Sequence, residues 1–573
     1  MHTFRVWVPE ATNVDLVLRD GVLPMRSVDD GWWERQVAEA HHGTDYAYSV
    51  DGSDPLPDPR SPWQPDGVHG FSRVFEAARF EWSDDSWTGR DIRGSVFYEL
   101  HIGTFTLEGT LDAAAEHLDY LAVLGVEVVS LMPVAAFPGV HGWGYDGVDL
   151  YAVHAPYGGP ESLQRFVDRC HDAGLAVCLD VVYNHLGPSG NYLSSFGPYF
   201  TSKHDTPWGP AVNLDDTGSN EVRRWICDNA LRWFREFHID ALRLDAVHAL
   251  VDDSPVHVLQ QLSTETAALS AQLGRPLGLV AESDLNDPRT VDPVSEGGKG
   301  MTAQWNDDFH HALHSLLTGE RFGYYVDFGE PAAFAKTLTK VFMHDGTYST
   351  FRHKVWGHPV DPRTHRGGQY LAYTATHDQI GNRALGDRPK LTPGQVAIGA
   401  ALVLTSPYTP MIFMGEEWGA STPWRFFTDF EEPELADAVR TGRRREFAEF
   451  GWDAEDIPDP QDPETWRSSV LDWSEPDEAP HRELLEWYRH LLKFRARMPE
   501  LRDDSLTSVE IEYEQNYLVV KRGSLRVVAN LAATEAVVPL ETAEGYLVMS
   551  FGEADLGIGG VWLPGHGVAI VAV

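Results

Sequence analysis

The sequence of 573 residues is poor in cysteine. Its three cysteines, Cys170, Cys178 and Cys227, are an odd number and lack the spacing of a metal site. We therefore expect buried free thiols, which persist in a reducing cytoplasm. The amino terminus also lacks a basic segment followed by an apolar one, so the sequence shows no secretory signal. Both absences favour a cytoplasmic protein.

Long apolar runs and positive charge are also scarce. The longest apolar run, residues 396–404, is far shorter than the about 20 residues that cross a bilayer, so we expect no membrane contact. The 45 basic residues against 86 acidic ones give a formal net charge of -41. Binding of nucleic acid needs clustered Lys and Arg, so this balance argues against that partner. It is compatible with a neutral substrate, and acidic side chains also keep the surface solvated.

Three common kinds of site motif are missing. No Gly-rich loop follows a predicted strand, as a phosphate or dinucleotide site requires, and the spacings of HExxH and EF-hand sites do not occur. His310 and His311 are adjacent on a predicted helix and would point in different directions, which makes them a poor pair of ligands. The sequence therefore predicts neither a cofactor nor a metal site, although a structural calcium bound by scattered carboxylates would leave no compact motif.

The middle of the chain alternates short apolar segments with amphipathic helical ones. This repetition is typical of parallel βα units. Eight strand candidates follow one another, at 96–105, 126–134, 176–185, 239–248, 277–283, 302–307, 373–378 and 411–417. Eight such units predict a (β/α)₈ TIM barrel with insertions, and an amphipathic helix at 481–497 is expected to end it.

Segments of alternating strand character flank this region on both sides. Phe4, Val6 and Val8 alternate with other residues near the amino terminus, and a turn-rich stretch of Pro and Asp follows at 54–67. Short alternating strands return near residue 505. We therefore predict an α/β protein of three domains, namely an N-terminal β-sandwich at 1–90, the barrel at 91–500 and a C-terminal β-sandwich at 501–573.

One strand candidate, 239–248, carries an arginine and an aspartate two residues apart. Arg243 and Asp245 would lie on one face and the leucines on the other, because successive strand side chains point to opposite faces. Burying such a pair costs several kcal/mol per ion before the gain from pairing. The active sites of TIM barrels lie at the carboxyl ends of the strands. We therefore expect this pair there, facing a substrate.

Carboxylates also end other strand candidates. A single one is more often a turn or a helix cap than a catalyst, but acidic residues recur at nearly every strand end. Asp245 and Glu282 end adjacent strands, and a retaining glycosidase needs two carboxylates about 5–5.5 Å apart, one as nucleophile and one as acid/base. Arg243 would keep Asp245 ionised by lowering its pKa, and an apolar setting would raise the pKa of Glu282. Asp378 offers a third carboxylate for stabilising the transition state.

Most of the tryptophans and tyrosines are interpreted as core residues. This applies by default to Trp143, Trp208 and Trp305. Tyr145 lies between a glycine and an aspartate at a strand end. It is therefore the best candidate for stacking on a sugar ring.

Four ordered motifs, each at a predicted strand end, resemble those of the α-amylase family. They are DVVYNH at 180–185, RLDAVH at 243–248, Glu282 and HD at 377–378. The resemblance implies a retaining mechanism on α-glucosidic bonds, with Asp245 as nucleophile, Glu282 as acid/base and Asp378 as transition-state stabiliser. It also implies a set of residues around the sugar at the cleavage point, namely Tyr145, Asp180, His185, Arg243, His248 and His377. Thr376 departs from the pattern, since many relatives carry Asn there.

Longer segments resemble those members of the family that release trehalose. They lie at 64–70, 141–148, 306–325, 377–388 and 458–473. Such relatives cleave the α-1,4 bond next to the terminal trehalose of maltooligosyl trehalose. By this resemblance the segments 306–311 and 377–382 contact the substrate through Asn306, Asp307, His310, Gln379 and Asn382.

Two alternatives stay open at this point. The N-terminal sandwich also resembles that of branching enzymes, and a glycogen-branching transferase would share the barrel and the three carboxylates. Such an enzyme would make α-1,6 branches from amylose. A non-catalytic glucan-binding protein on the same fold would lack at least one catalytic carboxylate, whereas this sequence has all three. The oligomeric state does not follow from the sequence.

Overall fold

The computed structural model describes residues 1–448, 453, 455–540 and 545–573. Its centre is a closed barrel of eight parallel strands, whose order around the barrel follows their order in the chain. The strands, numbered β1–β8, are Phe97–Leu100, Val128–Leu131, Ala176–Val181, Ala241–Leu244, Gly278–Ala281, Ala303–Trp305, Tyr370–Tyr373 and Thr409–Phe413. The predicted (β/α)₈ architecture is confirmed, and each strand candidate overlaps one strand of the barrel.

The seventh strand differs from its predicted bounds. The pattern predicts a strand at 373–378, but β7 ends at Tyr373. Thr376 instead caps a short helix, His377–Gly381, because its hydroxyl accepts a hydrogen bond from the Asp378 amide at 3.2 Å. The polar residues of this segment therefore lie on a helical turn beyond the end of the strand.

Helices surround the barrel. The longer ones in the described ranges are Gly159–Asp172, Ser219–Glu236, Val258–Leu273, Asp307–Thr318, Pro331–Lys340, Pro393–Leu404, Pro433–Ala448 and His481–Arg497. The last of these has the bounds predicted for the helix that ends the barrel. Within the ranges that the structure describes, no helix is both long enough and apolar enough to cross a membrane.

The barrel strands are buried on both faces. Residues such as Ala241 and Val280 point into the barrel and fill its interior. The strand residues that alternate with them point outwards and pack against the helices. Because Ala241 points inwards, Arg243 two residues later points inwards as well. Leu242 and Leu244 belong to the outer core. The strand thus combines an apolar outer face with a charged residue inside the carboxyl end of the barrel.

Two antiparallel sheets form the N-terminal region. The first contains His2–Trp7, Arg26–Ser27 and Trp32–Val37, and the second contains Val14–Leu18, Gly21–Pro24, Asp45–Val50 and Ser72–Arg73. Phe4 of the first sheet packs on Tyr46 of the second, with ring centroids 4.8 Å apart. The two sheets therefore share a core, which confirms the predicted N-terminal β-sandwich.

Two further antiparallel sheets form the C-terminal region. One contains Val509–Glu514, Tyr517–Arg522, Leu525–Asn530, Tyr546–Phe551 and Val568–Ala572, and the other contains Ala536–Pro539, Asp555–Gly557 and Gly560–Leu563. Val519 and Val528 of the first sheet share a buried cluster with Val538 and Val561 of the second. The predicted C-terminal sandwich is confirmed, while the domain limits 1–90, 91–500 and 501–573 stay predictions.

A β-hairpin is inserted after β3. Its strands, Phe200–Thr206 and Gly209–Val212, are antiparallel, and Trp208 lies in the turn between them. Gly209 has a φ of 116°, a conformation that the tight turn requires and that residues with a Cβ rarely adopt. The hairpin therefore presents Trp208 at its tip.

The three cysteines are buried and free. Cys178 lies inside the barrel, and Cys170 and Cys227 lie in helices on its outside. Burial raises the pKa of Cys227 to about 12, so this thiol is uncharged at neutral pH. The expectation of buried free thiols is confirmed.

Candidate active site

Arg243 lies at the centre of the carboxyl end of the barrel. Its Nη1 donates hydrogen bonds to both carboxylate oxygens of Asp180, at 3.0 and 2.8 Å, and to Asp245 Oδ1 at 2.8 Å. Its Nη2 lies 2.9 Å from Glu282 Oε2, at an angle that makes no hydrogen bond. These residues lie in or directly after β3, β4 and β5, and neighbouring parallel strands bring their ends together.

Asp245 is held as an ionised carboxylate. Its second oxygen accepts a hydrogen bond from Asn184 Nδ2 at 2.7 Å, and the same amide group donates to the Asp245 carbonyl at 2.8 Å. Burial raises the pKa of Asp245, but the Arg243 charge and the Asn184 hydrogen bond outweigh burial and lower the pKa below its usual value. The Asp245 side chain is therefore charged at neutral pH.

Glu282 has the opposite electrostatics. Burial, together with the nearby charges of Asp245 and Asp378, raises the pKa of Glu282 to about 8, although Arg243 acts against the rise. Its Oε2 accepts a hydrogen bond from the Ala246 amide at 2.6 Å. Ala246 has a φ of 39°, a left-handed conformation that is uncommon for alanine, in the turn that follows Asp245. Glu282 is therefore largely protonated at neutral pH while Asp245 is charged.

A chain of hydrogen bonds connects the ends of β1 and β3. Glu99 in β1 accepts a hydrogen bond from His377 Nδ1 at 2.8 Å. His377 Nε2 lies 2.8 Å from the Tyr145 hydroxyl, which donates to Asp180 Oδ2 at 2.8 Å. Burial lowers the pKa of His377, but Asp378 and Glu99 outweigh it and raise the pKa to about 9. The protonated His377 therefore donates from both ring nitrogens and fixes the position of Tyr145.

A cavity of about 850 Å³ opens above these groups. Asp245, Glu282 and Asp378 all line it. Aromatic residues form a large part of its remaining wall, namely Trp143, Tyr145, Phe200, Trp208, Phe426 and Phe427. Sugars offer hydroxyls to carboxylates and apolar C–H faces to aromatic rings, so the lining suits a neutral oligosaccharide.

The sequence-predicted sugar contacts fall into two layers. Those that line the cavity are Tyr145, His185, His248 and His377. Asp180 and Arg243 are buried behind this lining and hold Tyr145 and Asp245. Asn382 is exposed, and its amide donates to Asp378 Oδ1 at 3.3 Å.

The default assignment of Trp208 to the core is wrong. Trp143 and Trp305 are buried as expected, but Trp208 is 50% exposed and lines the cavity. Its ring stacks on His185, with centroids 4.7 Å apart and planes 10° apart. An indole packed on one face and open to the cavity provides a surface for a sugar ring.

Two residues that were expected to contact the substrate lie in the core. Asn306 is buried, and its side chain caps the helix Asp307–Thr318 by accepting a backbone hydrogen bond. His310 is also buried, and its ring nitrogens contact the Thr374 carbonyl at 2.6 Å and the Tyr325 hydroxyl at 3.0 Å. Neither side chain lines the cavity, because the packing of this helix against the barrel directs both into protein contacts. Their contact with the substrate stays a prediction.

Asp307 and Gln379 are partly buried and bonded within the protein. Asp307 Oδ1 accepts a hydrogen bond from the Tyr373 hydroxyl at 2.5 Å, and burial raises its pKa. Gln379 Oε1 accepts hydrogen bonds from the amide and the hydroxyl of Thr376, at 2.7 and 2.8 Å. Neither side chain is among those that line the cavity. Their contact with the substrate stays a prediction.

Glu99 is a residue of the site that the sequence interpretation misses. Its side chain lies inside the barrel and is almost fully buried. The signal for it is an acidic residue within an otherwise apolar strand, since a buried charge needs a partner. That partner, His377, lies 278 positions later in the chain, so only the fold shows the pair.

Comparison with known proteins places the chain in a family. Residues 74–204 match the alpha amylase catalytic domain, and residues 1–64 match carbohydrate-binding module 48, the isoamylase N-terminal domain. The chain is 51% identical to the malto-oligosyltrehalose trehalohydrolase of Arthrobacter ramosus, over 99% of each chain. The chain belongs to the malto-oligosyltrehalose trehalohydrolase family.

Two further comparisons show similarity over the whole length of the chain. The malto-oligosyltrehalose trehalohydrolase of Mycobacterium tuberculosis is 51% identical, over 100% of this chain and 99% of its own. A solved structure from Salmonella typhimurium, provisionally named an alpha amylase, is 35% identical and has a TM-score of 0.90. That match covers 100% of this chain and 97% of the solved one. The similarity therefore includes both sandwiches as well as the barrel.

Proposed function

We propose that the protein hydrolyses maltooligosyl trehalose at the α-1,4-glucosidic bond next to the terminal trehalose and releases trehalose. One observation carries the chemistry: two carboxylates on a single arginine have opposite pKa shifts, so Asp245 is charged while Glu282 holds a proton. Similarity to named trehalohydrolases over the whole chain supports the choice of substrate. We also propose a cytoplasmic location, where three buried free thiols stay reduced.

The first step forms a covalent intermediate. Asp245 attacks the anomeric carbon of the glucose unit that precedes trehalose, while Glu282 gives its proton to the glycosidic oxygen. The bond between that carbon and oxygen breaks, and trehalose leaves as a neutral alcohol. Asp245 is held by hydrogen bonds from Arg243 and Asn184 before the reaction starts, so little reorganisation is needed.

The second step uses water. Glu282, now a carboxylate, takes a proton from a water molecule, whose oxygen attacks the anomeric carbon. The bond to Asp245 breaks, and its electrons return to the carboxylate. Two inversions at the same carbon keep the α configuration. Asp378 lines the same cavity, and its proposed role is to stabilise the positive charge that develops on the sugar ring in both steps.

Two aromatic side chains are proposed to hold sugar rings. Tyr145 is fixed by hydrogen bonds to Asp180 and His377, and Trp208 is stacked on His185. Both line the cavity that contains the carboxylates. Aromatic faces pack well against the apolar faces of sugars, so these residues suit successive glucose units.

The rate of trehalose release is expected to fall as the pH rises through about 8. Glu282 must carry a proton for trehalose to leave, and its pKa is about 8. Asp245 must be ionised, and its lowered pKa keeps it charged well into the acidic range. A profile of kcat/KM against pH on maltotriosyl trehalose measures both limits in the free enzyme. An alkaline limb below neutral pH would contradict this assignment of the acid.

The protein is expected to prefer a trehalose end to a plain reducing end. Maltotriosyl trehalose and maltopentaose contain the same number of glucose units, so they differ only in the terminal linkage. We expect kcat/KM to be at least about tenfold higher for the trehalose compound, because polar contacts to one end of a substrate can discriminate by such a factor. Similar values would disprove the specificity. New α-1,6 branches in amylose would instead favour the branching transferase.

A further inference from the structure

A charged cluster fastens the hairpin that carries Trp208. At its centre lies Asp215, whose side chain is only 3% exposed. Its Oδ2 accepts a hydrogen bond from Lys203 Nζ at 2.8 Å and lies 2.9 Å from His204 Nε2. The same oxygen accepts a hydrogen bond from the Asp253 amide at 2.9 Å. Two side chains of the hairpin and the backbone amide of Asp253 therefore meet at one buried carboxylate.

The backbone of the hairpin is distorted where the cluster forms. Lys203 and His204 are consecutive residues, and in a regular strand their side chains would point to opposite faces. The pairing of the two hairpin strands shifts register between Thr201 and Asp205, which is the position of these residues. A bulge of this kind re-aims side chains. It lets the side chains of Lys203 and His204 reach the same carboxylate.

The cluster joins the hairpin to the loop of the nucleophile. Asp253 lies on the loop that follows β4, eight positions after Asp245. At the tip of the hairpin, Trp208 stacks on His185. Asn184, which directly precedes His185, donates a hydrogen bond to the Asp245 carboxylate. The hairpin is therefore fixed within its first strand by the polar contacts of Asp215 and at its tip by stacking beside the reacting groups.

A metal ion is the competing explanation. His204, Asp215 and Asp253 lie close enough together to share a cation. However, the Lys203 ammonium lies 2.8 Å from Asp215 and 4.0 Å from Asp253, so the protein's own positive charge already occupies this position. The observations favour an internal ion cluster that holds the hairpin in place.

We propose that Lys203, His204 and Asp215 are positioning residues that hold Trp208 in place as a wall of the sugar site. This inference rests on the proposed function in that Trp208 binds the oligosaccharide. An isolated two-stranded hairpin is at best marginally stable in water, so its tip needs an anchor of this kind. Because Asp215 is buried, removing a partner leaves its carboxylate with unmet hydrogen bonds and loosens the hairpin.

Kinetic constants of single variants test the proposal. We expect Asp215→Asn and Lys203→Met to lower kcat/KM by about tenfold or more, chiefly by raising KM, because a misplaced binding surface weakens substrate positioning. Lys203→Arg keeps the positive charge and should recover most of the loss. Asp205→Asn is the matched control on the same hairpin, since Asp205 is exposed and its carboxylate makes no hydrogen bond to the described residues. It should behave like the wild type.

A double-mutant cycle separates positioning from general stabilisation. If the cluster acts through Trp208, Asp215→Asn should have little further effect on kcat/KM in a Trp208→Ala background. The alkaline limb near pH 8 should stay in place, since Glu282 is untouched. The proposal would be overturned if the two substitutions lowered kcat/KM by factors that multiply in the double variant. It would also be overturned if Asp215→Asn lowered the Tm but left kcat/KM unchanged. Should Asp215→Asn fail to fold, Lys203→Met completes the same cycle, because the Lys203 side chain is 42% exposed.

The substrate that the wild type cleaves distinguishes failure of the proposed function from failure of the positioning role. If the wild type releases no trehalose but hydrolyses plain maltooligosaccharides, the proposed function fails. The cycle is then run on the glucan that is hydrolysed, with the same expected coupling. Independent effects on a substrate that the wild type does cleave would refute the positioning role alone.

Discussion

Asp245→Asn is expected to lower kcat for trehalose release by about 10⁴-fold or more, the scale on which hydrolases respond to loss of a reacting group. The substitution preserves the size of the side chain and removes its charge. An amide cannot form the ester intermediate, and Arg243 no longer faces an anion at this position. The measurement is the initial rate of trehalose release from maltotriosyl trehalose.

The same chemical change at a position outside the active site serves as the control for Asp245→Asn. Asp205→Asn also converts an aspartate to an asparagine, but on the exposed surface of the hairpin. It should retain the wild-type rate. Thermal unfolding of both variants shows whether the Asp245 variant is folded. A folded Asp245→Asn protein with near wild-type turnover would remove Asp245 from the role of nucleophile.

Glu282→Gln is expected to lower kcat by about 10²–10⁴-fold on maltotriosyl trehalose, which is the usual contribution of a general acid. The amide has no proton to give at neutral pH, so the sugar alcohol leaves poorly. An aryl α-maltotrioside with an acidic phenol needs no protonation to leave, and for it the loss in the first step should be much smaller. The alkaline limb near pH 8 should disappear from the remaining activity.

Two comparisons decide the role of Glu282. Glu296→Gln is the matched control, because Glu296 is exposed in the short 3₁₀ helix Val294–Glu296 between β5 and β6. It should leave the rates on both substrates unchanged. Equal losses on the sugar and aryl substrates would show that Glu282 does not act as the acid. A retained alkaline limb would assign the pKa of about 8 to another group.

The barrel is predictable from the sequence because its pattern is local. Each strand is a short apolar run, each helix an amphipathic one, and their alternation leaves few other topologies. The position of Arg243 follows in the same way. Strand alternation places it with Ala241 inside the barrel, and adjacent strands bring Asp180, Asp245 and Glu282 around it.

Residues whose environment depends on insertions and long-range packing are not predictable in this way. Trp208 reads as an ordinary core residue, and only the folded hairpin brings it to the cavity. His310 reads as a substrate contact, yet helix packing directs its ring towards Tyr325 and a backbone carbonyl. Glu99 and His377 are far apart in the chain, so their pairing follows only from closure of the barrel.

We expect the protein to release trehalose with retention of configuration at the attacked carbon. NMR spectroscopy during the first turnovers of maltotriosyl trehalose shows both the products and the anomer of the freed maltotriose. The mechanism at Asp245 and Glu282 predicts free trehalose together with α-maltotriose, which later equilibrates with the β anomer. Initial formation of β-maltotriose, or cleavage without free trehalose, would contradict this expectation.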